Sequence, residues 1–358
     1  MDHLSRQKTF QKAIEAGGLD GFGITHPANV RYLCGFSGSN GLLLFLGGRR
    51  TFFTDGRYTQ QAREEVQGTR VVVAKGPLQN AAAKAIGDGK TRALGFEADH
   101  TTVAAANEMR RVFRKKVVWK PTTGLVMRQR MIKDAAELHI LRKAVRTGAE
   151  VYEQALGKLH AGIAETEIAA ELELAARRAG ASGMSFETIV AGGTRSALPH
   201  GVATTRPIPR HGFVVIDSGV VVEGYCSDMT RTVHVGRANR EERRWYAAVL
   251  EAQLAGINAV KAGVTAGDVD RATREVLRRA KLDKFFTHST GHGVGLEIHE
   301  PPRLGVEQTE ELRAGMVITI EPGVYLPGKG GIRIEDMVVV TATGCEVLTP
   351  VSKELLEV

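Results

Sequence analysis

Apolar positions along this chain recur on two periods, and where the period changes the expected architecture changes with it. In roughly the first 120 residues the apolar runs are short and strand-like, at 23–25, 41–46, 51–54 and 71–74. The third run ends in the turn Asp55-Gly56-Arg57-Tyr58, and a helical pattern follows over 59–66. Proline and glycine in Lys120-Pro121-Thr122-Thr123-Gly124 predict a linker, with the domain boundary between 120 and 131. The pattern therefore predicts a smaller α/β domain over 1–125 and a larger domain over 126–358.

From Asp134 onward the patterns lengthen and repeat. Helical patterns over 134–158 and 165–179 precede strand candidates at 186–190, 213–216 and 225–235. Two more helical patterns, 240–262 and 266–280, precede strand candidates at 294–299, 316–320 and 332–341. Helix, helix, strands thus occurs twice, which predicts a duplicated α+β unit rather than strict β-α alternation. The repeat lies in element order, with little residue identity between the halves.

Composition narrows the class. The 358 residues are 43% hydrophobic and 25% charged, ordinary for a globular chain. The run Leu42-Leu43-Leu44-Phe45-Leu46 is far short of the ~20 residues that span a bilayer, and the first eight residues do not lead into a secretory signal. Three widely spaced cysteines, Cys34, Cys226 and Cys345, exclude a disulfide framework or a Cys-x-x-Cys zinc site and favour a reducing cytosol. The net charge of +8 raises the question of nucleic acid. The densest basic stretches are Arg110-Arg111, Arg114-Lys115-Lys116 and 240–244, and none carries the aromatic spacing of a stacking platform. They are expected to be solvated faces.

The chemistry stands out against this background. Charged residues rarely interrupt apolar strand patterns unless they are paired or coordinate a metal. Asp217 ends Phe213-Val214-Val215-Ile216, and Asp228 follows Cys226-Ser227. Glu321 ends Val317-Ile318-Thr319-Ile320, and Glu335 follows Gly331-Ile332-Arg333-Ile334. Spacings of 11 and 14 residues suit neighbouring strands that bring each pair side by side. Four such carboxylates would repel one another unless cations sat between them. Nitrogen comes from the stretch 288–299, which holds His288, His292 and His299 with glycines at 291, 293 and 295. Oxygen-rich donors with one imidazole suit two divalent ions such as Mn, Co or Zn, a hydrolytic pair. Competing motifs are missing: the sequence has no P-loop and no His-Glu-x-x-His, and Gly21-Phe22-Gly23 lacks the third glycine of a dinucleotide loop. Gly192-Gly193-Thr194-Arg195 is expected as a tight loop near the site, and Cys226 as a packing residue.

At these residues the sequence resembles the pita-bread metallopeptidases, and within them the Xaa-Pro peptidases, aminopeptidase P and prolidase. The resemblance covers 131–358. It rests on Ser196-Ala197-Leu198-Pro199-His200-Gly201, Ile216-Asp217-Ser218-Gly219, Ser227-Asp228-Met229-Thr230-Arg231-Thr232, the stretch 288–300, Thr319-Ile320-Glu321-Pro322-Gly323 and Gly331-Ile332-Arg333-Ile334-Glu335-Asp336. It implies a pita-bread catalytic domain in which Asp217, Asp228, His292, Glu321 and Glu335 hold two divalent ions, manganese before cobalt or zinc. It implies catalytic roles for His200, His299, Glu321 and Arg333, and substrate binding by His200, His288, His299 and Arg333. Glu321 is the candidate for moving a proton from water to the leaving proline nitrogen.

The substrates so implied are proline-containing peptides, with no nucleic acid or membrane partner, in a cytoplasmic homodimer whose N-terminal domains help to close each other's clefts. Between the two activities, Gly35-Phe36-Ser37-Gly38-Ser39-Asn40-Gly41 and Phe53-Thr54-Asp55-Gly56-Arg57-Tyr58 look like the N-terminal domain of aminopeptidase P. Removal of an N-terminal residue before proline is therefore the main expectation, with Xaa-Pro dipeptidase as the alternative. A pita-bread protein that binds peptide without turnover is the remote one, and the loss of a ligand that would mark it is not seen.

Overall fold

In the computed structural model, which describes residues 1–86, 92–113 and 117–358, the chain divides into two units, Met1–Arg130 and Met131–Val358. Arg114, Lys115 and Lys116 of the basic stretches lie outside the described residues.

The first unit runs α1 (His3–Ala16), β1 (Gly21–Ile24), α2 (Pro27–Cys34), β2 (Gly41–Leu46), β3 (Arg49–Asp55), α3 (Thr59–Glu65), β4 (Arg70–Ala74), α4 (Leu78–Ile86), β5 (Arg92–Glu97), α5 (Val103–Phe113), β6 (Val117–Thr122) and α6 (Met127–Arg130). Among the described residues its strands form one mixed sheet, in the order β4-β3-β2-β1-β5-β6. Apolar strand residues such as Leu43, Phe45 and Phe52 are buried in it.

Pattern alone did not reveal α1 or α2. The inner face of α1 mixes Phe10 and Ile14 with polar residues: Arg6 Nη1 donates to Tyr32 O at 3.2 Å and Gln7 Nε2 to Leu33 O at 2.8 Å, so polar residues interrupt the apolar period. The expected linker at 120–124 is corrected too. Its first three residues belong to β6, the edge strand, where the N–H that Pro121 lacks is least missed. The units part at 130/131, at the far end of the expected 120–131 interval, and Arg130 is buried in the first, where it donates to Asn29 Oδ1 at 2.8 Å.

The second unit holds the duplication. Its first half is α7 (Ala135–Leu156), α8 (Glu165–Arg178), β7 (Gly183–Met184), β8 (Ile189–Gly192), β9 (Gly212–Ser218), β10 (Val220–Val222), β11 (Tyr225–Cys226) and β12 (Met229–Val235). Its second half is α9 (Arg240–Ala259), α10 (Ala266–Arg279), β13 (Gly291–Gly293), β14 (Glu300–Leu304), β15 (Val317–Ile320), β16 (Gly323–Leu326), β17 (Gly330–Arg333), β18 (Asp336–Val340) and β19 (Cys345–Val347). Three of the four long helices start with a reciprocal cap: Asp134 with Glu137, Asn239 with Glu242 and Thr265 with Asp268. Strands order as β12-β9-β8 in one half and β14-β13-β15-β18-β19 in the other. Apolar faces of α7 and α8 pack on β8, β9 and β12 through residues such as Leu172, Val190 and Val214. Cys226 is buried among apolar residues, as a packing residue would be.

Four strand expectations need correction. The candidate at 186–190 begins later, at Ile189. The candidate at 225–235 is broken at Ser227-Asp228, and that at 332–341 is broken at Ile334-Glu335. The candidate at 294–299 is a loop between β13 and β14. There the buried Glu300 carboxylate accepts from Glu297 N at 3.2 Å and from Lys133 Nζ at 3.1 Å, which gathers the chain around it. Gly295 lies against that carboxylate, and a Cβ there would come within 2.6 Å of Glu300 Oε1.

A candidate metal centre in the second unit

Of the four carboxylates expected inside strands, only Asp217 is in one, β9. Asp228 falls between β11 and β12, Glu321 one residue beyond β15, and Glu335 between β17 and β18. The breaks free these side chains from the sheet's alternation while the ladders keep them together. Ile320 pairs with Asp336 across β15–β18 and Gly323 with Arg333 across β16–β17, so both registers run on to bring Glu321 opposite Glu335. The halves join at the same place: Glu335 N donates to Thr230 O at 3.1 Å, and Thr230 Oγ1 donates to Glu335 Oε2 at 2.7 Å.

His292 completes the group. Its Nδ1 lies 3.0 Å from Gly293 O. A carbonyl oxygen only accepts, so Nδ1 carries the proton and Nε2 holds a lone pair. That lone pair is 3.5 Å from Asp228 Oδ2 and 3.5 Å from Glu321 Oε1. Three acceptors facing one another need a proton or a cation between them. Burial pushes the His292 imidazolium down to about 4, which disfavours the proton. Burial and the neighbouring Asp217 push Glu335 up to about 8. Burial and Glu335 also hold Asp228 and Glu321 well above the usual carboxylate range.

The donor set therefore fits divalent cations, which reverse that repulsion. Ligands at ~2.0–2.1 Å in a tetrahedron stand about 3.3 Å apart, close to the spacing here. Asp228, His292 and Glu335 offer donor atoms all within 4.8 Å of one another. Asp217 adds Oδ1, buried and without a hydrogen-bond partner.

Around the donors runs a directed chain of hydrogen bonds. His288 Nδ1 donates to Ser289 O at 2.8 Å, so its Nε2 accepts from the Tyr325 hydroxyl at 2.9 Å. Arg333 Nη1 donates to Tyr325 Oη at 2.7 Å, and Nη2 to Asp217 Oδ2 at 2.6 Å. Burial, with Arg333 nearby, pushes His288 down to about 4, so it is neutral at pH 7 and suited to accepting. Tyr325 was not singled out from the sequence. It reaches Arg333 because the facing strand residue is Gly331, where a Cβ would stand 3.0 Å from the tyrosine ring.

The site opens into a cleft of about 890 Å³. His200 and His299 are exposed on its wall, with His299 edge-to-face on His292 at 4.4 Å. Partial burial and His200 lower the His299 imidazolium below its ordinary value. Phe186, Ile189, Val202 and Ile298 supply apolar wall. Arg303 on β14, also unnoticed in the sequence, lines the cleft and has no ion-pair partner among the described residues. The Gly192-Gly193-Thr194-Arg195 loop lies behind the wall rather than in it. Its Arg195 Nε is 3.0 Å from Glu165 Oε1, which ties the 3-10 turn Gly193–Ala197, just before His200, to the start of α8.

Residues 139–342 match the model of metallopeptidase family M24. The chain belongs to this family. Residues 6–132 match the creatinase/prolidase N-terminal domain. A Xaa-Pro dipeptidase from Bacillus anthracis is 39% identical, with all of both chains covered and a TM-score of 0.95. A Xaa-Pro dipeptidase from Pyrococcus furiosus is 36% identical over 98% of this chain and 99% of its own. An X-Pro aminopeptidase from Thermotoga maritima is 36% identical, covering 97% of this chain and 100% of its own, with a TM-score of 0.90. The M24 chain is thus a metallopeptidase with a pita-bread catalytic domain, and no helix among the described residues is long and apolar enough to cross a membrane.

Proposed function

We propose that this M24 metallopeptidase is a Xaa-Pro dipeptidase, which splits a dipeptide whose second residue is proline. The observation that carries the reading is the whole-chain likeness to the Bacillus anthracis Xaa-Pro dipeptidase. The segments around Gly35 and Tyr58 had favoured aminopeptidase P, and the comparisons support the alternative better. The cleft is consistent with it. A dipeptidase must meet the free carboxylate of its proline, and Arg303 places an unpaired cation on the cleft wall. The apolar wall suits a pyrrolidine ring, since a tertiary amide has no N–H to recognise.

In this reading Asp217, Asp228, His292, Glu321 and Glu335 hold two divalent ions, with manganese our choice for an oxygen-rich donor set. The ions supply Lewis acidity and lower the pKa of water. Glu321 moves a proton toward the leaving nitrogen. His200 and His299 donate hydrogen bonds to the substrate carbonyl as charge develops on its oxygen. Arg333 anchors Asp217, and His288, through Tyr325, holds that arginine in place. Three cysteines without a disulfide fit a cytoplasmic location. A homodimer is proposed from family resemblance, and an active species sedimenting at 38.7 kDa would overturn it.

The deciding assay compares a manganese-loaded sample on Xaa-Pro and Xaa-Pro-Yaa peptides. The expected result is a kcat/KM at least about tenfold higher on the dipeptide, or ~1.4 kcal/mol. Preference for the longer peptide would return the assignment to aminopeptidase P. Turnover of neither would leave a binding protein.

A further inference from the structure

His211, His234 and Glu242 cluster outside the cleft, and none of the catalytic or binding roles above uses them. His211 immediately precedes β9, His234 lies in β12 opposite Phe213, and Glu242 is in the first turn of α9. His234 is fully buried. Its Nδ1 is 2.8 Å from Gly236 O and donates to it, which leaves Nε2 as the ring nitrogen available to a cation. That Nε2 has no hydrogen-bond partner, and it sits 3.2 Å from Glu242 Oε2. His211 Nε2 is 3.1 Å from Glu242 Oε1. The carboxylate is held in place from behind, because Asn239 N donates to Oε2 at 2.8 Å.

We propose that these three residues form a second metal site, for a borderline divalent cation of the zinc type. The buried Nε2 of His234, without a hydrogen-bond partner, faces a carboxylate oxygen, and a cation between them satisfies both. His211 Nε2 and His234 Nε2 approach different oxygens of the Glu242 carboxylate, and one donor atom from each of the three side chains lies within 4.8 Å of the others, close enough to converge on a single ion with ~2.0–2.1 Å bonds. Two imidazoles with one carboxylate select zinc over magnesium or calcium. The fourth position opens to water beside His211, whose side chain is 54% exposed. The ion ties the end of the β9–β12 ribbon to α9. It also ties in the C-terminal segment, since His234 N donates to Leu356 O and Val358 N to His234 O, both at 2.9 Å. The opposite end of the same ribbon carries Asp217, four residues beyond Phe213, or ~13 Å at strand rise. The site is therefore a structural staple, distinct from the catalytic donors.

The test uses the full chain, first loaded with manganese, then equilibrated with excess zinc and desalted before elemental analysis. Any zinc exchanged into the catalytic centre is common to all samples. Wild type is expected to hold one zinc equivalent more per chain than His211→Ala or Glu242→Gln, while both variants keep wild-type turnover. Zinc should also raise the melting temperature of wild type and not that of His211→Ala. If Glu242→Gln is unstable through its lost cap, His211→Ala alone decides, because that side chain is largely solvated. Equal zinc content in wild type and His211→Ala overturns the site and leaves a protonated His234 paired with Glu242.

Discussion

Arg333 Nη2 donates to Asp217 Oδ2 at 2.6 Å, and the other oxygen of that carboxylate, buried, has no hydrogen-bond partner. The two residues are 116 apart in sequence and belong to different halves of the duplicated unit. One oxygen is fixed by a cation of the protein, and its neighbour is left for a cation from outside. The same guanidinium also reaches Thr230 Oγ1, Pro199 O and Tyr325 Oη, so a single side chain orients wall and donor together.

Arg333→Lys keeps the charge but cannot make those four bonds at once. Turnover is expected to fall about 10–100-fold, the usual effect of losing a partner that orients a metal ligand. Tyr325→Phe, which removes one link of the chain to His288, is expected to cost less. Steady-state kinetics with parallel metal analysis checks both, and unchanged kcat in Arg333→Lys would dismiss the orienting role.

Metal removal should both abolish turnover and invert the pH dependence of stability. In the metal-free protein Glu335 has a folded pKa of about 8, above its unfolded 4.5. Its protonated form stabilises the fold below pH 4.5, and that contribution is lost as pH rises through about 8. The chelated protein is therefore expected to melt at lower temperature at pH 8.5 than at pH 5.5, with Glu335→Gln flattening the difference. Metal uptake at pH 6.5 should release protons, seen as a binding enthalpy that depends on the buffer. No dependence on buffer would contradict the raised carboxylates.

Donors and flanking histidines should separate experimentally. Asp228→Asn, Glu335→Gln and His292→Ala are expected to lower metal content together with rate. His200→Ala and His299→Ala should cut kcat by ~10²–10⁴, the range for lost proton-transfer or oxyanion groups, with both ions retained. Metal loss in His299→Ala would move that residue among the ligands.

Arg303 gives the substrate reading its sharpest check. If it binds the proline carboxylate, Arg303→Ala removes a charge-assisted bond of about 1.5–3 kcal/mol. KM for Xaa-Pro should rise ~10–100-fold, while cleavage of Xaa-Pro-Yaa amide, which lacks that carboxylate at the second residue, should stay within about twofold. Equal losses on both substrates would give Arg303 a structural role instead.

The sequence by itself determined the duplication and the chemistry. Helix periods at 134–158 and 240–262 are local patterns, readable because each helix buries one stripe of its own surface. Asp217, Asp228, Glu321 and Glu335 were conspicuous because charge is rare in runs so apolar, and the stretch 288–299 because three histidines stand there among glycines; the family resemblance singled out His292. What only the tertiary structure decided is how that chemistry is arranged. The strands break at Asp228 and Glu335, which a period-two pattern cannot show, since the break is made by bonds such as Glu335 N to Thr230 O from the other half. Tyr325, Arg303 and the pairing of His234 with Glu242 carry no local signature. Tyr325 and Arg333 are eight residues apart, as are His234 and Glu242, but each pair spans two elements, and ladder registers and helix packing, not neighbouring sequence, bring a hydroxyl, a guanidinium or an imidazole into range.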